Sequence, residues 1–191
     1  NDQIEHANSI ILSRTDGIKP EKLEACVALL REHNQNATII TTPWDQLTGA
    51  QILETMEHKN TLEEELKLLA EETEHEHHHH DHEEHDEHCT CGCHDHDHEH
   101  HHHHADEVFT SWGKETPHKF TKAKIEDVLK TLCETDDYGT ILRAKGMVED
   151  ENGSWIYFDM VPGEYELRDG EPDYTGRLCV IGTDIDEHRL E

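Results

Sequence analysis

Basic residues are scarce in this chain: 16 Lys and Arg stand against 45 Asp and Glu, for a formal net charge of −29. No Lys or Arg occurs between Lys67 and Lys114. Such a surface repels phosphates instead of exchanging them for counterions, so nucleic acid is excluded as a partner, and anionic lipid with it. Long apolar runs are missing too. Nothing approaches the ~20 residues needed to span a bilayer, which excludes a transmembrane helix. A signal peptide is also lacking, and the first residue is Asn1, not Met. These features imply a cytoplasmic chain that is processed or is a piece of something longer. Cysteine is sparse outside one tract: Cys26, Cys133 and Cys179 stand singly in apolar contexts. They read as reduced, small core residues.

What is abundant is histidine, and it is concentrated. Residues 75–104 hold 16 of the 21 histidines, together with Cys89, Cys91 and Cys93. Fourteen Asp and Glu fall between Glu71 and Glu107. With almost no apolar side chains to offset its ordering entropy, the tract is expected to be a disordered tether. Its ligands suit transition metals: neutral imidazole binds Zn, Co, Ni and Cu, and thiolate selects Zn and Cu(I). The candidate ligands are His77, His78, His79, His80, His82, His85, His88, His94, His96, His98, His100, His101, His102, His103 and His104, with the three cysteines.

Cysteines at i, i+2 and i+4 on an extended chain stand ~6.6 Å apart. A tetrahedral zinc needs its sulfurs within about 4 Å. The loop must therefore curl at Gly92, with His88 or His94 as fourth ligand. A cloning tag is disfavoured because the histidines are internal and interleaved with Asp, Glu and Cys. A purely solvating acidic linker would not need them, and disulfide formation within Cys89–Cys93 requires an oxidising compartment.

On either side of the tract the pattern is globular. The apolar run Ser9–Ser13 reads as a buried strand, followed by a helix from Pro20 to near Asn34 with Leu23, Cys26, Val27 and Leu30 on one stripe. A second strand follows at Ala37–Thr42, giving a βαβ unit with a right-handed crossover. From Thr48 to about Glu74 the pattern is helical, with Ile52, Leu53 and Met56 on one stripe and a capping box at Thr61–Glu64.

After the tract, Val108–Trp112 reads as a strand. Thr121 caps a helix whose inner face is Ile125, Val128, Leu129 and Leu132. Ile141–Val148 and Trp155–Val161 form a hairpin around Asn152-Gly153. Glu164–Arg168 and the all-apolar Leu178–Ile181 add an outer and a central strand, and Asp186 starts a last helix.

The last eighty or so residues resemble the CobW C-terminal domain, through Ile141-Leu-Arg-Ala-Lys-Gly146, Gly153-Ser-Trp-Ile-Tyr-Phe-Asp159, Val161-Pro-Gly-Glu164 and Thr175-Gly-Arg-Leu-Cys-Val-Ile-Gly182. That family consists of P-loop GTPases implicated in delivering or inserting metals, often with a His-rich linker before this domain. The resemblance implies the end of a P-loop GTPase sheet at 1–60, a helix and the metal-binding linker at 61–107, and a small α+β domain at 108–191. It also implies a role for Ile11-Leu-Ser-Arg-Thr-Asp16, which sits where the family carries its guanine-reading motif. Asp16 would accept from the N1–H and N2–H₂ of guanine, and Arg14, in place of the usual Lys, would flank the purine. Taken alone, the same segment is a polar turn ahead of a helix, with Asp16-Gly17 as its turn pair.

The family's phosphate loop, Gly-x-x-x-x-Gly-Lys-Ser/Thr, is nowhere in the chain, nor are its Cys-x-Cys-Cys motif and Walker B carboxylate. Phosphoryl transfer depends on those parts, so GTP and Mg²⁺ would be bound only by a longer protein and this chain alone should not hydrolyse GTP. The function implied is delivery of Zn²⁺, Co²⁺ or Ni²⁺ to a client metalloprotein. Two others compete: a metal store that delivers to nothing, and an activator docking on a metalloenzyme such as a nitrile hydratase.

Overall fold

The computed structural model describes residues 2–15, 17–57, 62–77 and 109–191. The first lobe is the expected βαβ unit. Strands β1 (Ser9–Ile11) and β2 (Thr38–Ile40) pair in parallel, with Ile10 opposite Ile39. A short helix α1 (Asp2–Glu5) leads in, and helix α2 (Pro20–His33) makes the crossover. Pro20 occupies its first turn, where a missing N–H costs nothing, and Asn34 closes it by donating its backbone N–H to Leu30 O. The Asn34 side chain then fixes the corner. Its Nδ2 donates to Ile4 O and Ala7 O, and its Oδ1 accepts from the Asn36 and Ala37 amides.

Two expectations for this lobe need correcting. The first strand is shorter than Ser9–Ser13: Leu12 N still donates to Ile40 O, but Arg14 turns into the left-handed region at φ 58° and ends the extended run. Cys26 is exposed, not a core residue. The stripe that α2 buries runs through Val27 and Leu30, which pack on Ile39, and Cys26 lies off it.

Helix α3 (Gly49–Glu57) follows a single 3₁₀ turn at Trp44–Gln46. Thr48 and Gln51 cap it reciprocally: Gln51 N donates to Thr48 Oγ1, and Thr48 N donates to Gln51 Oε1. That is a capping box with Gln at its fourth position. Ile52 packs against Ile40, Leu47 and Tyr174, while Leu53 is exposed. The capping box expected at Thr61 lies outside the described residues.

The C-terminal unit is a six-stranded sheet, mostly antiparallel, in the order β3-β8-β5-β6-β7 with β4 parallel to β5. Its elements are β3 (Thr110–Thr116), β4 (Lys119–Phe120), helix α5 (Lys122–Glu134), β5 (Thr140–Asp150), β6 (Trp155–Val161), β7 (Glu164–Gly170), β8 (Gly176–Thr183) and a short α6 (Glu187–Leu190). Thr121 caps α5 by accepting from Lys124 N. The buried stripe of α5 is Ile125, Leu129 and Leu132, packed on Trp112, Ala144, Phe158 and Val180. Val128, expected on that stripe, is 46% exposed at its margin. The β5–β6 hairpin turns at Gly153, φ 83°, as the Asn-Gly pair predicts.

The opposite face of the sheet is covered by helix α4 (Leu62–His77). Leu69 packs with Cys179 and Ile181, joined by Leu62, Leu66, Ala70 and Phe109. The approach is close because Gly113 lies beneath the helix; a Cβ there would meet Leu66 Cδ1 at 2.8 Å. Strand β8 is thus buried on both faces, with Leu178 and Val180 toward α5 and Cys179 and Ile181 toward α4. That explains its unbroken apolar run. Arg177, on the same strand, pairs with Glu65 of α4 and with Asp173. Burial alone would depress this guanidinium, but the Asp173 and Glu65 carboxylates offset that and hold its pKa above the ordinary value.

Candidate functional site

In open α/β sheets, ligands bind beyond the carboxyl ends of parallel strands. Here the carboxyl ends of β1 and β2 face a cleft of about 380 Å³. One wall comes from the first lobe: Thr15, Gly17 and Ile18 after β1, and Thr41, Thr42 and Pro43 after β2. The other comes from the C-terminal unit: Thr116–Lys119 at the β3–β4 turn, Glu149 and Glu151 of the β5–β6 hairpin, and Trp155.

The first wall is shaped by backbone turns. Arg14 and Gly17 both have positive φ, 58° and 78°, and Ile18 N donates to Thr15 O. A non-glycine residue in the left-handed region costs about 1 kcal/mol and tends to occur where a binding loop is held to shape. Arg14 is exposed on this loop. Asp16 lies outside the described residues, so the turn is compatible with both readings of the segment.

The two walls are held together by a set of specific bonds. Thr41 and Thr42 both donate backbone N–H to Tyr174 O, at 2.8 and 3.1 Å. The Thr42 hydroxyl donates to Asp173 O and Tyr174 O, and Thr41 Oγ1 donates to Thr175 Oγ1. Gln51 Nε2 donates to Pro172 O, and the Tyr174 hydroxyl donates to Gln51 O. On the other side of the cleft, Arg31 forms a bidentate pair with Glu115, both bonds at 2.7 Å, while its Nη1 donates to Ala37 O at 2.6 Å. Bidentate Arg–carboxylate pairs are the strongest of their kind.

Glu24 of α2 meets both Lys114 (3.1 Å) and His118 (2.8 Å). Burial would raise its pKa, but bonds and charge from Lys114 and then His118 more than offset this and hold it below the ordinary value.

Electrostatically the cleft is mixed. Among its lining residues Lys119 is the one ammonium, and it is paired with Glu149 at 2.7 Å. Trp155 is 1% exposed, and its indole Nε1 has no hydrogen-bond partner among the described residues. The described lining offers hydroxyls and carboxylates but no free cationic cluster. It fits a planar polar group better than a phosphate. A second cavity, about 250 Å³, lies between α5 and the sheet and is apolar, lined by Trp112, Leu129, Phe158, Leu178 and Leu190.

The sequence-predicted metal ligands His78, His79, His80, His82, His85, His88, Cys89, Cys91, Cys93, His94, His96, His98 and His100–His104 all lie outside the described residues. His77 is the last residue of α4. Among the described residues, no group of three or more His, Cys, Asp and Glu could hold a metal ion. The elements flanking the tract share one layer, since Leu69 of α4 and Phe109 belong to the same cluster on the sheet.

Sequence reasoning missed the second wall. His118, which stands alone in the sequence, pairs with α2 and lines the cleft. No local signal marks Thr116–Lys119 or Trp155, because only the docking of the lobes brings them opposite Thr15.

Residues 109–191 match the family model described as the cobalamin synthesis protein cobW C-terminal domain. Among solved structures, the chain is similar to the Zn(II)-bound YjiA GTPase from E. coli, with 18% identity and a TM-score of 0.38. A Zn(II)-bound triple mutant of YjiA GTPase is similar to the same degree. In both cases 98% of this chain is covered, and the chain spans 51% of the other's length. No curated protein matches it. Among the described residues, no helix is long and apolar enough to cross a membrane.

Proposed function

We propose that this chain is the metal-loading, guanine-reading portion of a CobW-type GTPase metallochaperone, which binds Zn²⁺, Co²⁺ or Ni²⁺ and delivers it to a client metalloprotein. The observation that carries the reading is the succession of parts: a His/Cys tract runs directly into a CobW C-terminal domain at 109–191. The metal is cargo here. Neutral imidazoles of 75–104 and the thiolates of Cys89, Cys91 and Cys93 would hold it, and the surrounding carboxylates concentrate cations over a screening length of ~8 Å.

The cleft supports the nucleotide half of the reading. Its place at the carboxyl ends of β1 and β2, lined by Thr15 and Gly17, suits the guanine base, while its described lining residues form no phosphate cradle. GTP hydrolysis would then belong to a longer protein that supplies a phosphate loop and Mg²⁺. Storage without delivery is favoured by one feature, the number of ligands, which exceeds what a single tetrahedral site uses.

The test is a Zn²⁺ titration of the chain and of a variant with Cys89, Cys91 and Cys93 replaced by Ser. The reading expects a graded series of affinities, with the tightest step lost in the variant and weaker His sites retained. A variant that binds as the parent does would remove the thiolates from the site. If the parent itself shows no tight step, the storage reading replaces delivery.

A further inference from the structure

The apolar cavity between α5 and the sheet is used by neither the metal tract nor the cleft. We infer that it is a binding site for a compact, uncharged ligand, an apolar body of ring size with one hydrogen-bond acceptor held at Lys114.

The lining divides by chemistry. Val128 and Leu129 of α5, Trp112 of β3, Phe158 of β6, and Leu178 and Val180 of β8 give the cavity aliphatic and aromatic walls. Its polar lining is gathered into one bonded group. Lys114 Nζ donates to Glu24 Oε1 and to Glu191 O, His118 Nε2 meets Glu24 Oε2, and His118 N donates to Thr116 Oγ1. A ligand placed here meets a single polar end and otherwise touches apolar side chains.

Size sets the kind of occupant. A dry apolar cavity of about 150 Å³ takes one benzene ring, so a cavity of about 250 Å³ has room for a second ring. A helix with its side chains is about 10–12 Å across, wider than this space, which equals a sphere about 8 Å in diameter. A small molecule fits, and a protein helix does not.

Charge sets the head group. An ammonium has three donors, and among the described residues Lys114 uses two of them, which leaves one for a ligand acceptor. Its charge is already matched by Glu24, and the chain carries −29 overall. A carboxylate head therefore finds no free cation and is repelled by the field of the whole chain. A carbonyl oxygen takes the remaining proton without that repulsion.

The probe is 2-acetylnaphthalene, titrated into the methyl-labelled full chain and followed by ¹H–¹³C NMR. The inference expects saturable shifts of the Val128, Leu129, Leu178 and Val180 methyls, with intermolecular NOEs to the naphthalene protons. Ile39 in the first lobe and Ile181 on the opposite face of the sheet should stay in place. The charged analogue 2-naphthoate should bind more weakly than the ketone. Lys114→Met should weaken the ketone about three- to tenfold, the loss of one hydrogen bond, and leave 2-ethylnaphthalene unchanged.

Absence of saturable shifts at those four residues, up to the solubility of the ketone, would overturn the site. Binding of 2-naphthoate as tight as that of the ketone, or an unchanged ketone affinity in folded Lys114→Met, would overturn the assignment of its polar end. Should Lys114→Met fail to fold, the shifts and NOEs of the parent chain and its preference for ketone over carboxylate decide.

Discussion

The two halves of this molecule solve the burial problem differently. The C-terminal sheet is covered on both faces, by α5 on one side and α4 on the other, and its interior strand β8 is buried along most of its length. The first lobe has two paired strands, one crossover helix, and Ile11, Ile18, Leu29, Trp44 and Leu53 left exposed. It is held also by contacts to its neighbour: Ile40 and Leu47 pack on Tyr174, Arg31 pairs with Glu115, Glu24 with Lys114 and His118, and the threonines after β2 with Tyr174 and Thr175. One half therefore owes its order to its own core, and the other owes much of it to docking. The candidate cleft lies along that docked seam.

The comparison can be broken most severely from the well-packed side. Leu129 is 1% exposed in the main cluster, so Leu129→Ala should cost about 2–5 kcal/mol by loss of transfer energy plus a cavity. Chemical denaturation should show the C-terminal unit unfolding earlier, with the first lobe lost in the same step because its partner has gone. A separate, unshifted transition for the first lobe would show that it stands alone.

Next in size is the seam. Arg31→Ala strands the Glu115 carboxylate, whose side chain is 7% exposed, and should cost about 2–3 kcal/mol. Hydrogen exchange should quicken in α2 and β2 while β8 keeps its protection. Equal loosening of β8 would contradict the division of labour.

Gly113→Ala acts on α4 alone. The new methyl would stand 2.8 Å from Leu66 Cδ1, so the Leu66 and Leu62 side chains must repack, at about 1 kcal/mol. Exchange in residues 62–73 should rise, and β6 and β7 should be unaffected.

The smallest effect is that of pH on the clamp at Glu24. Its folded pKa lies below the ordinary value, with Lys114 and His118 offsetting its burial. A depressed carboxylate contributes stability above its unfolded pKa, near 4, and loses it as pH falls through the lower folded value. Docking should therefore weaken only on strong acidification, and Glu24→Gln should flatten that dependence. A docking transition close to neutral pH would contradict this assignment to Glu24.

How much of this was legible in the sequence follows from the range of the forces involved. The βαβ unit, the Thr121 cap and the Gly153 hairpin were readable because each is fixed by neighbours within a few residues. So was β8, whose Leu178–Ile181 run has apolar character on both faces. Val128 and Cys26 were misplaced because the helical stripe is wide and its edge is decided by what lies opposite. The role of α4 as a layer of the sheet could not be read, since it depends on Gly113 more than forty residues away, a spacing set by the intervening tract. The candidate metal ligands rest on composition alone, and all but His77 lie outside the described residues. The second wall of the cleft, Thr116–Lys119 and Trp155, was not legible, because it exists only when the lobes dock.

The central claim is that residues 75–104 load transition metal. The most direct measurement is bound Zn²⁺ per chain at pH 7.5 after dialysis, for the parent and for a variant with 75–104 replaced by Gly and Ser of equal length. The account predicts several ions per parent chain, none above background in the variant, and loss from the parent as pH falls below the imidazole pKa near 6.5. Equal zinc in the two proteins, or none in the parent, would contradict it.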